Sequence, residues 1–458
     1  MRALIFLILA ASLLACQPPT AKTPKEVLPN IVFIFADDLG YGDLGCFGAT
    51  DIKTPHIDQI AEKGAKLTSL YSASPVCSPS RAGLLTGRMP QRMGINGVFF
   101  PESFTGLPTD EITIADKLHE KGYVNGMVGK WHLGHLERFL PLQRGFDEYF
   151  GIPYSNDMES VVYLEGNEVV EFEVDQRLTT KTYTEKALDF LDRHQDQPFF
   201  LYLAHNMPHV PIYASDDFLG TSERGLYGDV IQEIDWSVGQ ILEKLESLGL
   251  TENTMLVFSS DNGPWLVMED HGGSAGPLRE GKQYTFEGGV RVPSLAMWPN
   301  HIPAGLIYSG VTTQMDWFPT FLHMAGIDLP PDRVIDGQDL SAALMAKGRR
   351  EGDDFLFYSG KELRGYRSGK WKVKRPFPGF AGAPWMKAVA AHDSLLFDLE
   401  NDPGEKINLF VDEAARARDL FQKMEAAEQV IGPLPPSLVL RSGSDDSHYH
   451  YLEKKHKK

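Results

Sequence analysis

Residues Asn30–Ala36 read NIVFIFA, a run in which β-branched and aromatic residues follow one another with almost no polar interruption. Such a run is typical of a strand that is buried on both faces of a parallel sheet. Residues 198–204 (PFFLYLA) and 255–260 (MLVFSS) repeat the pattern. Helical periodicity fills stretches between and around these runs, at residues 112–121, 184–193 and 227–248. The alternation predicts an α/β fold with a large, mostly parallel sheet flanked by helices.

Polar side chains follow each of these runs. Asp37 and Asp38 come directly after the first run, Asp261 and Asn262 follow the last, and residues 205–209 follow the middle one. Because ligands bind outside the carboxyl ends of parallel strands, we expect these side chains to converge on one site.

The character of the sequence changes after about residue 347. Short strand-like pieces at residues 355–358, 363–374 and 395–399 predict a smaller antiparallel sheet. We therefore expect a catalytic domain over residues 29–346 and a C-terminal subdomain over residues 347–440. Residues 441–458 predict a solvated polar tail.

The N-terminus resembles a bacterial lipoprotein signal. Arg2 precedes an apolar run that ends in Leu13-Leu14-Ala15-Cys16, and a Pro-rich polar stretch follows. The apolar run is too short for an ordinary transmembrane helix. The pattern predicts that residues 1–15 are a signal peptide, that Cys16 is lipidated, and that residues 16–28 form a linker to the bacterial outer membrane. A plain secretory signal is the alternative.

Composition excludes some classes of function. With 42% hydrophobic and 23% charged residues, the chain has the profile of a globular protein with a substantial core. Its formal charge of −18 opposes nucleic-acid binding and requires a local basic pocket for any anionic substrate. If Cys16 carries lipid, Cys46 and Cys77 are too few for a disulfide framework. Burial explains Cys46, whereas the neighbours of Cys77 indicate chemistry.

Residues 77–81 read CSPSR. Ser78 can cap a helix and Pro79 suits a first helical turn, so Cys77 is predicted at a helix N-terminus. That position favours an anion. A thiolate there would have a lowered pKa, which leaves an ordinary cysteine hydrolase as one alternative.

The residues that follow the strands indicate a metal site. Asp37, Asp38, Asp261 and Asn262 offer oxygen ligands only, which suits calcium or magnesium better than zinc. Alternatively, each pair simply caps a helix. His205 and His209 have the spacing of a zinc pair on a helix, but Pro208 makes a helix there improbable, so zinc is the weaker reading.

Three motifs resemble those of the formylglycine-dependent sulfatases. They are CSPSR continued by AGLLTGR at residues 77–88, GKWHLG at residues 129–134, and GK at residues 281–282 followed by EGGVR at residues 287–291. The resemblance extends over about residues 28–409 and implies an alkaline-phosphatase-like fold. It implies that a separate maturation enzyme oxidises Cys77 to formylglycine. It also implies a calcium ion held by Asp37, Asp38, Asp261, Asn262 and the residue at position 77.

The same resemblance implies roles for the cationic and imidazole side chains. Hydrated formylglycine would attack sulfur, Arg81 would orient it, and Lys130 and Lys282 would bind the sulfate. His209, helped by Lys282, would protonate the leaving sugar oxygen. His132 would take a proton from the second hydroxyl, so that sulfate leaves and the aldehyde is regenerated.

The expected substrate is a sulfated carbohydrate of the galactose or N-acetylgalactosamine type. GIPYS at residues 151–155 resembles the arylsulfatase A branch, in which Ser155 would lie in the substrate pocket beside Lys130, His209 and Lys282. LGTS at residues 219–222 resembles the N-acetylgalactosamine-6-sulfatase branch. Two alternatives stay open: a phosphatase or phosphonate monoester hydrolase of the same superfamily, and a surface lipoprotein that binds sulfated glycan without cleaving it.

Overall fold

The computed structural model describes residues 28–158 and 161–439. The predicted signal peptide, Cys16 and the polar tail lie outside these residues, as does almost all of the predicted linker. None of the helices within the described ranges is long and apolar enough to cross a membrane.

Three sheets make up the β structure of the described chain. A ten-stranded sheet has the order β12-β2-β11-β9-β1-β8-β4-β5-β6-β7, a three-stranded sheet the order β10-β3-β13, and a four-stranded sheet the order β14-β15-β16-β17. The strands are β1 (Asn30–Ala36), β2 (Ala65–Leu67), β3 (Leu70–Tyr71), β4 (Val124–Gly129), β5 (Glu148–Gly151), β6 (Val162–Glu165), β7 (Glu168–Phe172), β8 (Phe199–Ala204), β9 (Thr254–Ser260), β10 (Arg291–Val292), β11 (Ser294–Met297), β12 (Leu306–Tyr308), β13 (Thr312–Thr313), β14 (Asp354–Ser359), β15 (Glu362–Ser368), β16 (Trp371–Lys374) and β17 (Leu395–Asp398).

The three apolar runs of the sequence are the centre of the large sheet. Strand β1 pairs in parallel with β8 on one side and with β9 on the other, and all three strands are buried along their whole length. The sheet turns antiparallel toward its edges, at β11 and at β6 and β7. The predicted α/β class is therefore confirmed.

Helices cover both faces of the large sheet. The helices are α1 (Pro55–Lys63), α2 (Cys77–Thr86), α3 (Ile114–Glu120), α4 (Thr179–His194), α5 (Leu226–Ser247), α6 (Glu287–Val290), α7 (Trp317–Met324), α8 (Ser341–Leu344) and α9 (Ala414–Ile431). Alternate residues of β1 face opposite sides, so Phe33 packs in a cluster with α2, α3 and α7, whereas Ile34 packs in another with α1, α4 and α5. The two clusters fix the sheet between two helical layers.

The predicted second sheet is also present. Strands β14 to β17 form an antiparallel meander, and α9 packs against β15 and β16. Between β16 and β17 the chain extends into an irregular hairpin, closed by backbone bridges between Phe377 and His392 and between Phe380 and Val389. We call residues 377–392 the arm.

Candidate functional site

The carboxyl ends of β1 and β9 bring four predicted ligands together. The backbone N–H of Asp38 donates to Asp261 Oδ1 at 3.1 Å, and Asn262 Nδ2 donates to Asp38 Oδ1 at 2.6 Å. One ligand atom from each of Asp37, Asp38, Asp261 and Cys77 lies within 4.8 Å of the others, and all four residues are buried. Three segments that are distant in sequence therefore meet at one point, as the strand pattern predicts.

Cys77 is the first residue of α2, but the cap differs from the prediction. Val76 is the N-cap residue and makes no side-chain cap. The Ser78 hydroxyl instead accepts from the Phe99 backbone N–H at 3.1 Å, because Ser78 lies within the first turn. The Cys77 thiol is 3.5 Å from Asp37 Oδ1.

Electrostatics argue against an ordinary cysteine nucleophile. Burial raises the pKa of the Cys77 thiol well above its ordinary value, and the charges of Lys130 and Lys282 offset this only in part. The expectation that the helix terminus would lower the pKa is therefore wrong, since desolvation outweighs it. A raised pKa lowers the fraction of thiolate, which is the nucleophilic form, at neutral pH.

Arg81 contacts the carboxylates of Asp261 and Asp37. Its guanidinium donates to Asp261 Oδ2 from Nε at 3.0 Å and from a terminal nitrogen at 2.9 Å, and that nitrogen is 3.5 Å from Asp37 Oδ1. Its other terminal nitrogen donates to the Lys130 carbonyl at 2.9 Å. The side chain is fully buried. Arg81 thus positions two carboxylates and the segment that carries Lys130.

Two lysines bracket the acidic cluster. Lys130 Nζ donates one hydrogen bond to the Asp37 carboxylate and another to Ser155 Oγ, at 3.1 Å. Lys282 Nζ donates to Asp38 Oδ2 at 2.7 Å. Although burial alone would raise it, Lys130 and the other cations hold the pKa of Asp37 well below its ordinary value. Against burial, the Asp38 carboxylate raises the pKa of Lys282. Lys282 is therefore cationic despite its burial.

His209 closes the ring of polar groups. Its Nε2 is 3.6 Å from Asp38 Oδ2, its Nδ1 is 2.6 Å from the Val210 carbonyl, and its ring is 5.4 Å from the ring of Trp265. The short contact to a carbonyl requires Nδ1 to be the donor, which leaves Nε2 facing the cluster. Burial, together with the charge of Lys282, lowers the pKa of His209 to about 4.

His132 presents the opposite tautomer. Its Nε2 is 2.9 Å from the Phe99 carbonyl and so donates to it, whereas Nδ1 is buried without a hydrogen-bond partner in the described chain. Burial and the charge of Lys130 lower the pKa of His132 well below its ordinary value. The imidazole is therefore neutral, and its Nδ1 is available to accept a hydrogen bond.

His205 does not join the site, contrary to the expectation for the residues after β8. It is fully buried, with Nε2 3.3 Å from the Ser237 hydroxyl of α5. Residues 205–211 are not helical, so the spacing of His205 and His209 does not place their rings together. The predicted alternative of a zinc pair formed by His205 and His209 is therefore wrong.

The donor set fits a hard divalent cation. Burial and the neighbouring charge of Asp37 raise the pKa of Asp261. A bound cation would relieve the repulsion between these two carboxylates. The Asn262 Oδ1 atom is buried and has no hydrogen-bond partner among the described residues. Carboxylate and amide oxygens converging in this way suit calcium.

Sequence reasoning missed several residues of the site. Gln314 holds the end of β9, since its Oε1 accepts from Ser80 at 2.7 Å and its Nε2 donates to the Ser260 carbonyl at 2.5 Å. Trp265 packs over Lys282, whose Nζ lies 4.3 Å from the centre of the indole ring. The position of Trp265 in the sequence, four residues after Asp261, could have indicated that it lies near the site. Trp385, from the arm, had no comparable signal.

A cavity of about 570 Å³ opens onto these groups. Cys77, His132, Ser155, His209 and Lys282 line it on the side of the acidic cluster. The remaining lining is Val76, Val98, Phe100, Asp157, Met158, Trp265, Gln283 and Trp385. The volume lies in the range of small-molecule sites.

Comparisons with known proteins agree with this geometry. Residues 29–327 match the family model described as Sulfatase, and residues 280–429 match the one described as N-sulphoglucosamine sulphohydrolase, C-terminal. N-acetylgalactosamine-6-sulfatase of Canis lupus familiaris is 40% identical over 83% of this chain and 81% of its own. Arylsulfatase A of Bos taurus is 40% identical over 89% and 87%. A solved Bacteroides thetaiotaomicron structure, described by the metabolism of multiple glycosaminoglycans, superposes with a TM-score of 0.81 at 31% identity, covering 88% of this chain and 100% of its own.

Proposed function

Because the chain belongs to the sulfatase family, we propose that it hydrolyses sulfate esters of a galactose- or N-acetylgalactosamine-type carbohydrate. The relatives named N-acetylgalactosamine-6-sulfatase support this substrate class. The carrying observation is the cluster in which Cys77, Asp37, Asp38 and Asp261 place one ligand atom each within 4.8 Å of the others.

We further propose that Cys77 is converted to formylglycine and that calcium is the metal. Hydrated formylglycine would supply a hydroxyl nucleophile where the raised pKa of the thiol leaves a poor one. Calcium would supply positive charge for the sulfate oxygens and the nucleophile. Its ligands would be Asp37, Asp38, Asp261, Asn262 and the side chain at position 77.

The two lysines would hold the sulfate group. Lys130 and Lys282 approach the carboxylates from two sides, so a sulfate above position 77 would meet a cation on each flank. These two cations would supply the local basic pocket that an anionic substrate needs in a protein with a formal charge of −18. Ser155, 3.1 Å from Lys130 Nζ, would orient that ammonium.

The two histidines would move protons at different atoms. The free Nδ1 of His132 would accept a proton from a hydroxyl at position 77. The Nε2 of His209 faces the cluster, and the negative charge of a bound sulfate ester would favour its protonated form. His209 would then protonate the departing sugar oxygen, with Lys282 beside it.

The N-terminal sequence supports a separate proposal about location. We propose that the protein is exported and anchored by lipid at Cys16, in the bacterial outer membrane. Metabolic labelling with a radioactive fatty acid tests this, because a Cys16→Ser variant should lose the label. Labelling that survives the substitution would contradict the proposal.

Two measurements test the proposed activity. The protein is produced with and without a formylglycine-generating enzyme, and a peptide mass spectrum around position 77 reports the conversion. Release of sulfate is then measured from 6-sulfated N-acetylgalactosamine and galactose, with an aryl phosphate as the comparison for a phosphatase. We expect sulfate release from a sugar only after conversion. Equal activity of the unconverted thiol protein would contradict the mechanism, and preferred hydrolysis of the phosphate would contradict the function.

A further inference from the structure

One residue of the C-terminal subdomain, Trp385, lines the cavity that holds Cys77. Trp385 lies at the tip of the arm, beside the closing contacts between Ala383 and Met386, and it lines the same cavity as Cys77. Segments of the chain that are separated by about three hundred residues thus meet across the site. A side chain in this position is available to contact the part of a ligand that projects away from Cys77.

Contacts with residues 265–284 hold the tip of the arm in place. Trp265 Nε1 donates to the Trp385 carbonyl at 2.8 Å, and the Tyr284 hydroxyl donates to the Lys387 carbonyl at 2.9 Å. Met386 and Val389 pack against the buried cluster that contains Tyr284. These contacts fix the backbone of the tip but leave the indole of Trp385 uncovered.

The exposed indole of Trp385 is available to bind a ligand. Trp385 remains 56% exposed, which makes it one of the most exposed aromatic side chains described. An aromatic ring on a fixed backbone binds with little loss of conformational entropy. Pyranose rings present a face of C–H groups, and a galactose-configured ring gathers several of them on one side. Such a face can stack on indole while the hydroxyls stay free for polar partners.

Polar groups line the same cavity as the indole. Gln283 Oε1 is buried and has no hydrogen-bond partner in the described ranges, so it can accept from a ligand hydroxyl. Asp157 is exposed on the cavity wall and offers carboxylate oxygens. An apolar ring face with hydroxyls around its edge matches this combination.

We infer that Trp385 is a specificity-determining residue that stacks on the pyranose ring carrying the sulfate, with Gln283 and Asp157 accepting from its hydroxyls. This role rests on the proposed hydrolysis of sugar sulfates, in which Trp385 would be the residue that recognises the sugar ring. The sulfate would lie on the floor beside Lys130 and Lys282, and the ring would lie against the arm.

The test separates recognition of the sugar from recognition of the sulfate. Matured wild-type protein, Trp385→Ala and Trp385→Tyr are compared with galactose 6-sulfate as substrate and inorganic sulfate as competitive inhibitor. We expect Trp385→Ala to raise KM by roughly tenfold, the scale of one lost stacking contact, and to leave the inhibition constant of sulfate unchanged. Trp385→Tyr should restore most of the loss. The control is Phe380→Ala, which removes an aromatic ring from the same arm outside the cavity and should change neither constant.

Three outcomes would overturn the inference. An unchanged KM in Trp385→Ala would show that the indole does not contact the sugar. A parallel rise in KM and in the inhibition constant of sulfate would show that the arm only shapes the sulfate site. A wild-type enzyme that releases sulfate from an aryl ester but from no sugar would overturn the proposed carbohydrate function as well, which distinguishes that failure from the first two.

Discussion

Asn262 Nδ2 donates to Asp38 Oδ1 at 2.6 Å, and this contact joins the ends of two neighbouring parallel strands. The opposite atom of the same amide, Oδ1, is buried and meets no hydrogen-bond donor in the described part of the chain. A buried amide oxygen without a partner costs free energy. Asn262 can therefore fix Asp38 through its nitrogen and offer its oxygen to a cation, which a fourth carboxylate could not do.

Asn262→Leu should remove much of the affinity for calcium. The variant keeps the size of the side chain but loses both the ligand oxygen and the donor to Asp38. In the wild type, free calcium at a hundred times its Kd should stabilise the fold by about 2.7 kcal/mol. Urea unfolding with calcium and with a chelator measures the difference, which should shrink markedly in the variant. Asn253→Leu, far from the site, is the control and should keep the full difference.

Cys77→Ser should abolish repeated turnover. Serine carries a single hydroxyl, so a sulfate ester formed on it has no second hydroxyl to break it down. We expect the turnover rate to fall at least about a thousandfold, as for other losses of a covalent nucleophile. Single- and multiple-turnover assays of sulfate release measure this. Undiminished multiple turnover by the serine variant would contradict the role of position 77.

The sequence predicted the convergence of Asp37, Asp38 and Asp261 better than it predicted the walls of the cavity. Continuous apolar runs such as Asn30–Ala36 predict buried parallel strands, and parallel strands bring Asp37 and Asp261 to one edge by geometry alone. The positions of such residues follow from local patterns. The motifs that resemble sulfatases add the residues of loops, such as Lys282, for which no periodic pattern exists.

The parts that escaped prediction depend on contacts between distant segments. Trp385 reaches the cavity because the arm packs on Tyr284 and Phe286, and nothing in residues 377–392 indicates that packing. The prediction that Ser78 caps α2 was wrong, because the Ser78 hydroxyl accepts a hydrogen bond from the Phe99 backbone N–H of a distant segment. A hydroxyl one residue inside a helix can serve either purpose, and only the fold decides between them.

His209→Gln should harm the hydrolysis of sugar sulfates more than that of aryl sulfates. A sugar alkoxide is a poor leaving group and needs a proton, whereas a nitrophenolate leaves without one. We expect kcat for the sugar to fall by about a hundredfold or more, the scale of general acid catalysis. Comparing galactose 6-sulfate with nitrophenyl sulfate measures the contrast. Equal losses on both substrates would assign His209 to binding instead.

Burial of His205 should make the fold sensitive to acid. Burial lowers the pKa of His205 from 6.5 to about 3, so between these values the unfolded chain binds one more proton than the folded chain. Stability is therefore fully present above pH 6.5 and is lost as the pH falls toward 3. The slope for one such group is about 1.4 kcal/mol per pH unit. His205→Gln should reduce the slope of urea-unfolding free energy against pH, and replacing the exposed His271 with glutamine should not.

Lys372 should prove essential for joining the C-terminal sheet to the catalytic domain. Its ammonium is 2.9 Å from Glu287 of α6 and 2.9 Å from Glu405, and all three side chains are fully buried. Lys372→Met would remove the ammonium that bridges the two buried carboxylates, and Arg291 and Arg367 would remain near Glu287 only. Losing one partner of a buried ion pair costs about 3–5 kcal/mol. Urea unfolding at neutral pH measures the cost. Lys370→Met is the matched control, because Lys370 contacts Asp398 and Glu400 at the surface and should contribute little. If both variants unfold alike, the buried cluster does not hold the two units together, and the apolar contacts of β14 to β17 must do so.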